Sequence, residues 1–370
     1  MSAPLSAPLS APLSAPKCHP LKPRRSIDIK TENILGHIGN DLGDGNQLLN
    51  FRMAITQALF EEMNRDQSIY IMGEEVAQYN GAYKVTKGLL DVFGAKRVID
   101  SPITESGFTG MAVGAAMTGL RPVIEFMSWN FSFVAFDQII SNASKMNYMT
   151  GGMFAIPLVM RGPNGAGPRV SSQHSHAVEA LFSHFPGLIV VSPSTPYDAK
   201  GLMKTALRQN NPVCFLENEM IYSFEQEIPT AEYTIPFGKA DCKREGTDCT
   251  IVAISRSLHW ALEAADELAK QGISCEIIDP RTIKPLDIET IATSVRKTNR
   301  CVVVEECYKT SGFGAEIAAQ LMEHCFDDLD APVGRVTTTE NPMPYAANLE
   351  NETLPKPHRI IAAVKAACYR

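Results

Sequence analysis

Three stretches of the chain carry residue types at spacings that could do chemistry. In "IDSPITESGFTGMAVGAAMTG" an acidic residue, Glu105, stands where a short apolar run gives way to a helical pattern crowded with Gly107, Gly110, Ala112, Gly114, Ala115 and Ala116. Each glycine inside a helix costs about 1 kcal/mol relative to alanine, so such a run makes sense where another backbone or a ligand approaches closely. Glu105 reads in two ways: as a first-turn acid complementing the helix dipole, or as a carboxylate aimed at a ligand. "EFMSWNFSF" places Met127, Trp129, Phe131 and Phe133 at alternate positions, which share one side if a strand continues through them. Such a row is either core or a platform on which a flat heterocycle stacks. The third stretch, "RGPNGAGPRVSSQHSHAVEA", is the longest Gly/Pro-rich loop and ends in His174 and His176. Two histidines two apart on a helix face different ways, which argues against a metal pair. A single substrate-facing histidine and a solvated loop histidine both stay open. Signals of other chemistries are missing. There is no GxSxG and no Walker sequence, and "SGFGAE" at Ser311 has the wrong spacing for a dinucleotide loop.

The elements that must position these residues follow from periodicity. Phe51, Ile55, Leu59 and Met63 recur every fourth residue and predict an opening helix. Short apolar runs then recur at "IYIMG", "RVID", "PVIEF", "IPLVMRG", "LIVVSP" and "PVCFLEN" and predict strands. Helical patterns lie between several of them, including Phe133 to Met149 and Pro196 to Arg208. Strands alternating with helices imply an α/β fold, a mainly parallel sheet covered on both faces. In such sheets ligands bind beyond the carboxyl ends of strands, and two of the three stretches follow directly on a predicted strand. A low-periodicity stretch from Glu219 to Thr247 precedes a second alternating block, with "CTIVAIS", "SCEIIDP" and "CVVVEE" as its strands. The expected organisation is a tail over residues 1–48, a first α/β domain over 49–235 and a second over 236–370.

Composition narrows the class. At 370 residues the chain is long enough for two domains with buried cores. No apolar run is long enough to span a bilayer, so no membrane role is expected. A net charge of −7 without a basic block argues against nucleic acid. Nine cysteines, an odd number with no CxxC pair, suit reduced thiols better than a disulfide framework or a zinc site. Cys214 and Cys249 sit in strand-like runs and read as small core residues. The repeat "SAPLSAPLSAPLSAP" predicts an extended, solvated tail without the hydrophobic core of a secretory signal. The expected compartment is a bacterial-type cytoplasm. Arg24 and Arg25 keep the mitochondrial matrix open as the alternative.

Longer motifs carry a resemblance. "GEEVAQYNGAYKVTKGL" (Gly73 to Leu89), "SPITESGFTGMAVGAAMTGLRPVIEFM", "MRGPNGAG", "SSQHSH" and "NNPVCFLENE" stand in the same order as in a known family. From about Leu49 to Arg370 the chain resembles the β subunit of the pyruvate dehydrogenase component of the 2-oxo acid dehydrogenase complexes. The resemblance implies a pyrimidine-binding, transketolase-like domain followed by a transketolase C-terminal-like domain. It also implies an α2β2 heterotetramer that binds thiamine diphosphate, decarboxylates pyruvate and transfers the acetyl group to the lipoyl group of dihydrolipoamide acetyltransferase. In the family the α subunit holds magnesium and the pyrophosphate through a Gly-Asp-Gly and a downstream asparagine. This chain has its own Gly-Asp-Gly in "LGDGNQLLN", Leu42 to Asn50, but the window for the asparagine, "SIYIMGE", has none. The tripeptide also precedes the first helix instead of ending a strand, so it is expected to be a decoy.

Residue by residue, the resemblance implies that Glu105 matches the glutamate that hydrogen-bonds the pyrimidine N1′ of the cofactor and so favours its imino form. Met127 and Phe131 match positions packing on the pyrimidine, with Trp129 a further candidate. His174 matches the histidine of the active-site channel, which helps orient acyl transfer to lipoyl-lysine. A structural potassium ion would take main-chain carbonyls matching Leu158, Ala206, Leu207, Gln209 and Asn211. The second domain would stabilise the assembly and contact the acyltransferase core. The nearest rival is the β subunit of a branched-chain 2-oxo acid dehydrogenase. A non-catalytic scaffold subunit is a rival of another kind, against which the retention of Glu105 and His174 speaks.

Overall fold

The predicted opening helix forms at Phe51–Arg65. Asn50 caps it, its side-chain oxygen accepting the Met53 N–H, and Phe51, Ile55, Leu59 and Met63 are all buried. Such caps and apolar faces recur through a computed structural model that describes residues 40–42 and 45–370. In the first half the strands are β1 (Asn40–Asp41), β2 (Asn46–Asn50), β3 (Ile69–Gly73), β4 (Val98–Asp100), β5 (Arg121–Glu125), β6 (Val159–Pro163), β7 (Ile189–Val191), β8 (Val213–Glu217) and β9 (Glu225–Pro229). The second half adds β10 (Asp241–Arg244), β11 (Cys249–Ala253), β12 (Cys275–Asp279), β13 (Thr282–Lys284), β14 (Cys301–Tyr308) and β15 (Gly334–Thr338).

A seven-stranded sheet runs in the order β13-β7-β8-β6-β5-β3-β4, parallel except for β13. Every residue of β3, β6 and β8 is buried, as two covered faces require. One face packs Phe108, Phe126, Trp129 and Phe182, and the other packs Phe51, Leu59, Leu202 and Phe215. The second sheet, β10-β12-β11-β14-β15, is parallel except for β10. The α/β class with mainly parallel sheets is what the sequence leads one to expect.

The halves interlock. Only Pro280 and Arg281 separate β12 of the second sheet from β13, which adds to the edge of the first. Across the same seam Asp198, fully buried at the start of helix Pro196–Arg208, meets Lys243 Nζ at 2.6 Å and Arg281 Nε at 3.0 Å. Asp241 binds the same two cations.

Three expectations need correction. The tail does not reach residue 48: Asn46–Asn50 is already a strand, paired antiparallel with β9 and with Gln47 and Leu49 buried. The Ala/Pro/Ser repeat lies outside the described residues. The single helix expected over Phe133 to Met149 is instead a 3-10 helix at Trp129–Ala135, a π-helical turn at Gln138–Ala143 and one α turn at Met146–Met149. Ser132 and Ser144 hydroxyls donate to the carbonyls of Trp129 and Ile140, bonds that compete with a regular helix. The low-periodicity stretch hides β9 and β10, edge strands too exposed to show alternation.

Candidate active site

Four neighbouring strands of the first sheet, in the order β6-β5-β3-β4, deliver the candidate residues at their carboxyl ends. Glu74 follows β3, Glu105 starts the helix after β4, Met127 to Phe131 follow β5, and the loop to His174 follows β6. That is the edge at which an open parallel sheet binds ligands.

Glu105 is the first residue of helix Glu105–Met117 and is only 6% exposed. The helix N-terminus supports negative charge there, and Thr104 makes no side-chain cap that would compete. Two of the helix glycines have distinct reasons. A Cβ at Gly107 would come within 2.6 Å of Thr104 Oγ1, and one at Gly110 within 3.1 Å of Gln138 Oε1. Gly114 meets nothing within 4 Å, and Met111 and Ile103 on the same segment are exposed, so one side of this helix is open.

Beside Glu105 lies Glu74, which the sequence reading did not single out. It is buried, and its Oε1 has no hydrogen-bond partner. Burial, then the charge and hydrogen bond of Glu105, push the Glu74 carboxyl up to about 7. Two neighbouring buried carboxyl groups thus lie together at the carboxyl ends of the strands. Its sequence signal was the acidic pair "EE" directly after a strand. Behind this edge Arg161, itself buried, binds Glu125 and Glu217, and the Tyr222 hydroxyl donates to Glu217 at 2.6 Å. That cluster ties β5, β6 and β8 together and is internally satisfied.

The aromatic row divides. The strand ends at Glu125, so the expected alternation is not kept and the 3-10 helix sends its side chains in several directions. Trp129 is fully buried, its indole N–H donating to the Phe215 carbonyl at 3.3 Å and its ring between Phe126 and Phe182. It is a core residue and offers no face to a cofactor, which corrects its place among the candidates. Met127 and Phe131 are half-buried. Phe131 meets the His174 ring edge-on, centroids 5.3 Å apart, so the structure brings these two candidates together. Phe133 meets His176 in the same way. Asn130 Oδ1 accepts the His176 backbone N–H at 3.0 Å and contacts its Nδ1 at 2.5 Å, which fixes the ring with its proton on Nδ1. Burial, then the neighbouring His174, lowers the His176 pKa, so the ring is neutral near pH 7. A cleft of about 630 Å³ opens against His176, lined also by Ser172, Gln173, Tyr308, Thr310 and Glu340.

The potassium expectation meets a competitor. The Arg121 guanidinium donates to the carbonyls of Leu207, at 3.0 Å, and Gln209. The Ala206 and Leu158 carbonyls accept the N–H groups of Gln209 and Val213. The Leu207 and Gln209 oxygens do gather a cation at a helix C-terminus, and the one they hold is arginine. Of the Gly-Asp-Gly, Gly43 and Asp44 lie outside the described residues. The strands β1 and β2 that flank it pair antiparallel in a three-stranded sheet with β9, apart from the candidate site. Among the described residues no helix is long and apolar enough to cross a membrane.

Comparison with known proteins gives the same class. The family model described as the transketolase pyrimidine binding domain matches residues 47–224, and that of the transketolase C-terminal domain matches 238–360. A solved structure described as a split gene transketolase, an inactive β4 tetramer, shares the fold with a TM-score of 0.71 at 22% identity, over 86% of this chain and 98% of that one. Sheet, site edge and domain order thus define a two-domain protein of the transketolase-like class, pyrimidine-binding domain first.

Curated relatives narrow the class. The chain is 54% identical to the pyruvate dehydrogenase E1 component subunit beta of Rickettsia conorii, over 86% of this chain and 98% of that protein. It is 53% identical to the mitochondrial subunit of the same description from Bos taurus, over 85% and 89%. For the Rhizobium meliloti subunit the figures are 52% identity over 86% and 70%. The chain belongs to the family of pyruvate dehydrogenase E1 β subunits.

Proposed function

We propose that this chain is the β subunit of a thiamine-diphosphate-dependent pyruvate dehydrogenase. With an α subunit, as an α2β2 heterotetramer, it decarboxylates pyruvate and passes the acetyl group to the lipoyl group of dihydrolipoamide acetyltransferase. The observation that carries this reading is the carboxyl pair: Glu105 at a helix start, beside Glu74 with a buried, unpartnered oxygen. An orphaned polar atom at the open edge of a pyrimidine-binding domain fits a ligand that brings its own hydrogen-bonding nitrogens.

Glu105 would hold the pyrimidine through one nitrogen, and Met127 and Phe131 would pack on its ring. When bound, the cofactor supplies the electron sink that decarboxylation needs. Glu105 would present its carboxyl to the ligand from a fixed place at the helix start, and Glu74 stands next to it with its carboxyl pushed up to about 7. His174, whose ring meets Phe131, would orient the acyl group and move a proton at the mouth of the site. The α subunit would hold magnesium and the pyrophosphate. Potassium would have to share its carbonyls with Arg121 and has no role in this scheme.

Calorimetric titration of thiamine diphosphate tests the division of labour. The isolated chain should bind no cofactor at micromolar concentration, with or without magnesium, because a pyrophosphate cannot be buried without a cation. Adding an α subunit should create binding and pyruvate decarboxylation together. Tight magnesium-dependent binding by the isolated chain would overturn the division.

A further inference from the structure

The cysteines of the second sheet are not all inert core residues. Cys249 opens β11 and is fully buried, facing Cys275 in the adjacent parallel strand. Cys301, paired in register with Thr250, belongs to the core on the opposite face of the sheet. Cys368 follows the helix Pro357–Ala367 and packs, partly exposed, on the same core as Cys249. Its thiol donates to the carbonyl of Asp248, the neighbour of Cys249, at 3.9 Å, and Cys249, whose own thiol donates to the Thr250 carbonyl at 3.6 Å, stands within hydrogen-bonding reach of it.

We propose that Cys249 and Cys368 form an oxidisable thiol pair, in which a hydroperoxide attacks at Cys368 and the product is a disulfide that ties helix Pro357–Ala367 to the start of β11. The order of events follows from exposure and charge. The Cys249 hydrogen bond, with Arg300 and Arg370 adding smaller effects against burial, brings the Cys368 thiol down to about 7, while Cys249 is held well up. Cys368 is therefore the thiolate, and the nucleophile, near neutral pH.

The Cys368 sulfur attacks the outer oxygen of the hydroperoxide, the O–O bond breaks, and the alcohol or water leaves with a proton, giving a sulfenic acid. Cys249 sulfur then displaces the hydroxyl, which leaves as water with the Cys249 proton. Two thiols lose two electrons to one hydroperoxide. Cys275 is the less apt partner of Cys249, because parallel pairing holds the two in adjacent strands, whereas Cys368 stands beyond the helix Pro357–Ala367.

Peptide mapping of the full chain tests this. Cleavage after Lys and Arg isolates Cys249 in Glu245–Arg256, Cys368 in Ala366–Arg370 and Cys275 in Gln271–Arg281. After native treatment with hydrogen peroxide and alkylation, the first two peptides should appear joined, and dithiothreitol should separate them. Cys368→Ser should abolish the joined species and leave Cys249 reduced. Three results would overturn the proposal: Cys368 trapped as sulfenic or sulfinic acid with Cys249 free, Cys249 joined to Cys275 instead, or Cys368 unmodified.

Discussion

The two parallel sheets place acids at or near the carboxyl ends of their strands, and the fates of those acids differ. In the first sheet Glu74 and Glu105 sit at an open edge, and Glu74 keeps an oxygen without a partner. In the second sheet Asp279 ends β12, and Glu305 and Glu306 lie within β14, all turned into the molecule. There Asp279 faces Lys243, Glu306 binds Asn218 and Arg256, and Glu305 accepts the Gly314 N–H and faces Arg335. Burial pushes all three up to about 7, as it does Glu74. A raised carboxyl pKa is therefore no mark of catalysis in this protein. Asp279 and Glu305 also keep an oxygen without a hydrogen-bond partner, but each lies sealed beside a cation. Glu74 instead stands beside another acid at the carboxyl ends of the first sheet, and that placement distinguishes the candidate site.

Substitutions can break or sharpen that contrast. The largest effect belongs to the open edge. With the α subunit present, Glu105→Gln keeps size but not charge, and pyruvate decarboxylation should fall about 10²–10⁴-fold. A near-normal rate would remove Glu105 from the mechanism. In the sealed seam, Asp198→Ala leaves Lys243 and Arg281 with fewer acids than before. Breaking a buried ion cluster in this way should cost about 3–5 kcal/mol in urea unfolding, and an unchanged midpoint would mean that the seam is not held by charge.

His174→Ala returns to the open edge. Acetyl transfer to lipoyl acceptor should drop about 10²-fold, with a smaller loss in decarboxylation measured with an artificial electron acceptor. Equal losses would move His174 to the first step. The smallest effect is electrostatic. Glu305 binds its proton more tightly folded than unfolded, so the stability it contributes is complete below about pH 4.5 and is lost as pH rises towards about 7. Glu305→Gln should make the fall in thermal midpoint across that window shallower. An unaltered slope would assign the titration to the other raised acids.

Much of the fold was legible because its signals are local. The buried strands β3, β6 and β8 are continuous apolar runs, and the helices Phe51–Arg65 and Pro196–Arg208 carry their own caps. The strand β2, in the middle of a small sheet, and the edge strands β9 and β10 were missed because a half-exposed strand has no apolar run of its own and exists only through its partners. Within the site, the sequence pointed to Glu105, Phe131 and His174 by their motifs, whereas Glu74 had only an acidic pair after a strand as its signal and Asn130 had none. Their roles are contacts with residues 31 and 46 positions away.

By itself the sequence determined the α/β class, the two-domain order and the family, since periodicity and long motifs are properties of the chain alone. Only the tertiary structure decided which acids face an open edge and which are sealed. It alone sent Trp129 into the core while leaving Phe131 beside His174, and set Cys368 against Cys249. The reason is physical: burial, proton affinity and thiol reactivity depend on what segments remote in the chain bring to a residue, and no local pattern encodes that.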